Sequence, residues 1–168
     1  ARHAEDYRFR GEYGAKLIWQ GKIEDGLPLL QSIKNQLNQE TGWALAYAEG
    51  LMRPDYRLLM PAEKLENHGE RFTRELLNNV LLQEPENLKA KLLDAERLLE
   101  DGKFTSARDA FNASMELSQG GQGLPAARLF TGFAQSAIRT NDQEVALAAL
   151  EQAMSIEPEW YGLQRIKT

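Results

Sequence analysis

The stretch from Ala127 to Pro158, ARLFTGFAQSAIRTNDQEVALAALEQAMSIEP, constrains the fold more than any other part of the chain. It reads as two amphipathic helices joined by a tight turn. Small residues stand where the helices must touch: Ala134 on the first, Ala146 and Ala153 on the second. Pro158 stops the second helix, because proline has no amide to donate to the next turn. Such a hairpin is built to stack on copies of itself. A stacked array presents a surface for holding other proteins rather than a reaction chamber.

The copies are found by arithmetic. Gly14, Ala48, Ala95 and Ala134 are small residues at successive first-helix crossings, spaced by 34, 47 and 39. From Gly14 to Gly26, Ala95 to Ala107, Ala134 to Ala146 and Ala146 to Pro158 the step is 12 each time, and it recurs from Thr73 to Pro85. Thr73 lies 25 residues after Ala48, so the second unit holds 13 extra residues between its helices. Five more fall in SQGGQGLP, between the third and fourth units. Stacked hairpins tolerate insertions confined to turns, because lengthening a loop costs little entropy.

Local chemistry agrees. Phe104, Ala107, Phe111 and Met115 fall on one helical face. Gly21 and Gly102 are placed at hairpin turns, where positive φ costs glycine little. In the fourth unit Arg139-Thr140-Asn141-Asp142 makes the matching turn, and Asn or Asp can cap the next helix.

Composition narrows the function classes. The chain has 168 residues, 42% of them hydrophobic, enough for one sizeable core and against wholesale disorder. Acidic residues outnumber basic ones 25 to 20, which argues against nucleic acid as the partner, since phosphate binding needs a basic footprint. The absence of cysteine excludes disulfides, thiol catalysis and thiolate zinc sites. It fits cytosol or periplasm equally. No run approaches the ~18 apolar residues of a membrane span, and no signal peptide is visible. Residue 1 is Ala, which points to a removed N-terminal segment or an excised domain.

The pattern resembles the tetratricopeptide repeat (TPR), a 34-residue helix–turn–helix unit. The fourth unit matches through Phe130, Phe133, Ala134, Ala137, Ala146, Leu150, Ala153 and Pro158. The third matches through Ala95, Leu98, Gly102, Phe104, Ala107 and Phe111. Tyr13, Gly14, Leu17, Gly21, Gly26, Leu30 and Ile33 carry the first; Tyr47, Ala48, Leu51, Thr73, Leu77, Val80 and Pro85 carry a degenerate second. The resemblance spans residues 7 to 158. It implies an all-α, right-handed α-α superhelix of about four units, approximately 7–40, 41–87, 88–126 and 127–160, in one domain over 1–168, with the insertion in unit two.

In that family the first helices line a concave groove. The resemblance implies a partner-binding groove of Arg8, Ala15 and Trp19, then Glu49, Met52 and Arg53, then Lys89, Glu96 and Glu100, and finally Arg128, Gln135 and Arg139. Their mixed charge and apolar surface suit an extended peptide or a partner helix. One subclass clamps carboxylate tails with Lys and Asn. The Asn positions hold Ala15, Glu49, Glu96 and Gln135 here, so that activity is not implied.

The chain departs from the pattern in three places. Gly26 and Pro28 come early in the second helix of unit one, so that helix is expected to start near Glu24 or later and to be irregular; Asn38 stands where a proline is expected at its end. The insertion, residues 53 to 70, carries Pro54, Pro61, His68 and the run Leu58-Leu59-Met60. It is either an edge-packed loop or an element projecting to a partner, which exposure of Tyr56, Leu58 and Met60 would favour. The final EWYGLQRIKT begins like another first helix, so the parent chain is expected to continue, or a second copy to cover this end.

No constellation for catalysis stands out. His3 and His68 are the only histidines, and no metal-ligand spacing exists. The Gly-rich GGQG lacks a phosphate-binding lysine and reads as a turn. Ser32, Ser114, Ser118 and Ser136 have no histidine near them in the pattern. Glu96, Glu100 and Asp101 read as solvated charge without a shielded pocket. Trp19, Trp43 and Trp160 are either interaction anchors or packing bulk. The sequence therefore suggests a non-enzymatic scaffold or adaptor without cofactor or metal, binding a protein or peptide. The alternatives are a structural oligomerisation module and an accessory domain of an enzyme.

Overall fold

The computed structural model describes residues 2–53, 70–118 and 124–159, and the side chains of 6–53, 71–118 and 126–159. Among these there are helices and no strand. The insertion residues Tyr56, Leu58, Met60 and His68, the GGQG run, His3, Trp160 and the tail after it lie outside the described residues or side chains. The chain divides into two compact units, Ala1–Pro85 and Glu86–Thr168, each described in turn.

The first unit holds α1 (Arg2–Trp19), α2 (Ile23–Ser32), a 3₁₀ segment (Lys34–Gln39), α3 (Thr41–Met52) and α4 (Glu70–Gln83). α1 packs on α2 and on α3, and α3 packs on α4. α1 and α2 approach closely at the predicted crossing: a Cβ on Gly14 would stand 2.9 Å from Leu30, and Gly26 faces the Gly14 carbonyl. On the other side of α1, Gly11 admits the Trp43 indole. Tyr7 meets the same ring edge-on, with centroids 6.2 Å apart. Ile18, Leu27, Leu30, Leu37, Leu76 and Leu77 fill the core. The Thr41 hydroxyl donates to Glu84 Oε1 at 2.7 Å, tying the start of α3 to the end of α4.

The second helix of unit one differs from expectation. It starts at Ile23, so Pro28 lies in its second turn rather than its first. The proline cannot donate to the carbonyl of Glu24, four residues back. The α-helix stops at Ser32, well short of Asn38, and the chain continues as a 3₁₀ segment. Amide side chains crowd that segment, and they compete with helical hydrogen bonding. Leu37 is still fully buried, which keeps the segment against the core.

The second unit holds α5 (Leu88–Glu100), α6 (Phe104–Ser118), α7 (Leu124–Arg139) and α8 (Gln143–Ile156). Thus α7 begins before the expected boundary at 127. Consecutive helices pack together, and α5 also packs on α7, as α1 does on α3 in the first unit. Leu92, Ala95, Ala107, Phe111 and Leu129 form the core, with Phe133 and Met115 packed against them. The Phe111 ring lies directly over Gly132. The Asn87 side chain caps α5 by accepting from the Ala90 amide at 2.9 Å.

Three hairpin turns close in the same way. The Lys22 amide donates to the Leu17 carbonyl, Lys103 to Leu98, and Asp142 to Ala137, each at 2.9 Å. The residue before each donor has positive φ: Gly21 at 80°, Gly102 at 75° and Asn141 at 60°. This is the helix-ending motif in which a left-handed residue lets the next amide reach back to an orphan carbonyl. The expected crossing residues Gly14, Ala48, Ala95, Ala134, Gly26, Thr73, Ala107, Ala146 and Ala153 are all buried.

Candidate interaction face

In the second unit the first helices α5 and α7 lie side by side. Lys89, Glu96 and Glu100 recur at helical spacing along α5, and Arg128, Gln135 and Arg139 do so along α7. The two rows are joined by a two-pronged ion pair. Arg128 Nε donates to Glu96 Oε1 at 3.1 Å, and Nη2 to Oε2 at 2.7 Å. Both side chains are largely sheltered, which suits the planar fork to the carboxylate. Lys89 and Gln135 are half-buried, while Glu100 and Arg139 are exposed. The Arg139 guanidinium lies over the Phe104 ring, 4.6 Å from its centroid. It therefore packs on the first residue of α6 while, being exposed, it keeps part of its charge available to solvent.

The corresponding residues of the first unit are placed unevenly. Arg8 and Trp19 are exposed, and the far edge of the Trp19 indole reaches back to Gly42. Ala15, Glu49 and Met52 are buried, unlike the groove-facing residues the resemblance implies. Arg53, at the end of α3, is half-exposed and lies 3.6 Å from Glu49. α3 is apolar on every side over Trp43–Ala48, so its whole circumference is drawn inward and takes Glu49 and Met52 with it. Of the tryptophans, Trp43 is packing bulk and Trp19 is open to solvent.

A second polar cluster went unnoticed in the sequence. Arg108 on α6 donates to Asp142 Oδ2 at 2.7 Å and to Thr140 Oγ1 at 3.3 Å. Its guanidinium also sits 5.8 Å from the Phe133 ring. Asp142 accepts from the Val145 amide at 3.4 Å and so caps α8. The Arg108 hydrogen bond holds the Asp142 carboxyl below its ordinary value of 3.8, with the Val145 amide assisting and partial desolvation opposing. A signal was present: Arg108 and Asp142 are opposite charges 34 residues apart, one repeat period. Among the described residues no group of three or more His, Asp or Glu could hold a metal ion. No described helix is long and apolar enough to cross a membrane.

No protein-family model and no curated protein matches the sequence. Solved structures do resemble it. The thermophilic TPR protein TTC0263 of Thermus thermophilus superposes with a TM-score of 0.71 at 13% identity. That match covers 98% of this chain and 81% of the other. Two MamA structures, one of the AMB-1 protein and one of a point mutant, match at 16% identity and a TM-score of 0.46. They cover 90% of this chain and 99% and 97% of theirs, a likeness too loose to carry weight. The recurring turns, the buried crossing residues and the TTC0263 superposition lead to one conclusion: this chain has a tetratricopeptide-repeat fold.

Proposed function

We propose that the chain is a non-enzymatic scaffold that holds a peptide or partner helix against its first-helix faces. The observation that carries this is the joined pair of rows on α5 and α7. The Glu96–Arg128 pair fixes their register, and Glu100 and Arg139 remain exposed beside it. Such a face offers fixed hydrogen-bonding groups of both charges along two parallel helices, which suits an extended or helical segment lying across them. Helical repeats of this kind commonly serve as binding surfaces. In the first unit, taken by itself, the solvent-open counterparts of these residues are Arg8, Trp19 and half-exposed Arg53.

The test is a display selection of peptides against the immobilised chain, followed by affinity measurement on variants. Arg53→Glu and Arg139→Glu reverse charge at positions open enough to leave the core intact. Loss of about tenfold in affinity, roughly 1.4 kcal/mol, is expected from at least one. Peptides that bind both variants as they bind the parent chain would show that the face is misassigned.

A further inference from the structure

The repeat leaves two apolar stripes on the surface that occupy the two sides of one recurring contact. In the first unit α2 carries Leu27 and Leu30, both buried, and Leu27 is seated against Gly50 of α3, while Trp43 and Tyr47 of α3 meet α1 and Phe72 of α4. In the second unit α6 carries Arg108 and Phe111, and α7 carries Leu129 and Phe133. There Phe111 is seated over Gly132, and Arg108 meets the Phe133 ring. Each time, a second helix receives the first helix of the following hairpin. One hundred and twenty residues before Leu129 and Phe133 stand Phe9 and Tyr13. One hundred and twenty residues after Leu27 and Leu30 stand Leu147 and Leu150. Phe9 is 65% exposed and stacks on exposed Tyr13, with centroids 5.7 Å apart. Leu147 is 61% exposed, and Met154 extends its stripe by two turns.

We propose that the α8 stripe of one copy, Leu147, Leu150 and Met154, receives the α1 stripe of a second copy, Phe9 and Tyr13. The repeat supports this occupant, because Phe9 and Tyr13 hold the positions of Leu129 and Phe133, which already meet Phe111 and Arg108 of α6. The charges on α8 are acidic, Glu144 and Glu151, and face one charge of each sign beside Tyr13, Glu12 and Lys16. The contact is looser than its internal counterparts, because Glu12 and Lys16 stand where α7 has Gly132 and the buried Ser136. Two single helices also bury less than the ~1,600 Å² of a standard interface, so association is weak, on the order of 10 μM to 1 mM. The two faces differ, so the contact is heterologous and leaves one face of each copy unused.

Sedimentation of the full chain over a concentration series tests this. Mass rising with concentration is expected for the parent chain. Phe9→Glu combined with Tyr13→Glu, and separately Leu147→Glu combined with Met154→Glu, should each abolish the rise. Each double variant keeps one intact face, so an equimolar mixture should recover a dimer and nothing larger. Circular dichroism checks that the variants stay helical, and Tyr13→Lys replaces the α1 pair if that pair fails to fold. A parent chain that stays monomeric throughout, association untouched by the substitutions, or a mixture that recovers no dimer overturns the proposal. In the monomeric case, a lowered melting temperature on Leu147→Glu would show that the chain itself covers α8.

Discussion

Gly26 lies so close to Gly14 that a Cβ added to it would stand 2.7 Å from the Gly14 carbonyl oxygen. Backbone meets backbone there, and neither helix can yield by turning a side chain. Gly26→Ala gains about 1 kcal/mol of helix propensity but overpacks the crossing at a cost of about 1–3 kcal/mol. The expected outcome is a net loss of about 1 kcal/mol, read as a lower urea midpoint at unchanged slope. A midpoint at or above that of the parent chain would show that α1 and α2 have room to separate.

The crossing of α7 with its neighbours is equally closed, since Ala134 is fully buried. Ala134→Leu should cost about 1–3 kcal/mol. Leu82→Ala is the matching control: that side chain is 81% exposed and its truncation should stay within about 0.5 kcal/mol. Thermal melts of the two variants should differ clearly in the order given.

Asp142 supplies a pH dependence. Its folded-state value is depressed, chiefly by Arg108. Its contribution is therefore present above the ordinary value of 3.8 and is lost as pH falls through the lower folded value. Asp142→Asn keeps a capping oxygen for Val145 and removes only the charge. The parent chain should be the more stable near pH 6, and the difference should shrink in acid below pH 3.8. A gap that stays constant down to pH 2 would mean that Arg108 stabilises no charge there.

The Glu96–Arg128 pair should be energetically coupled, because the fork is two-pronged and both side chains are largely sheltered. A double-mutant cycle with Glu96→Ala and Arg128→Ala is expected to give a coupling of about 1 kcal/mol. Additive losses would show that the pair fixes no register between α5 and α7.

The crossing residues were legible in the sequence because a close helix approach admits only small side chains, and they recur at a fixed step. The turns were legible for a related reason: Gly21, Gly102 and Asn141 are among the few residues that accept positive φ. What escaped depends on side chains from different repeats meeting. Arg108 with Asp142 and Glu96 with Arg128 lie about one period apart, yet neither type is diagnostic on its own. The burial of Glu49 and Met52 escaped because groove positions were carried over from the family resemblance, whereas α3 is apolar all round over Trp43–Ala48. The 3₁₀ segment at Lys34–Gln39 escaped because its amide-rich run carries no glycine or proline to mark where the α-helix ends.

The three shared turn latches also tell a designer where not to cut. Each sets the angular phase at which the returning helix leaves the bend. One added residue at 20–22, 101–103 or 140–142 would rotate that helix by about 100°. Its alanine- and leucine-bearing side would then swing away from its mate. Grafted loops belong instead between α3 and α4, where the chain already carries extra length.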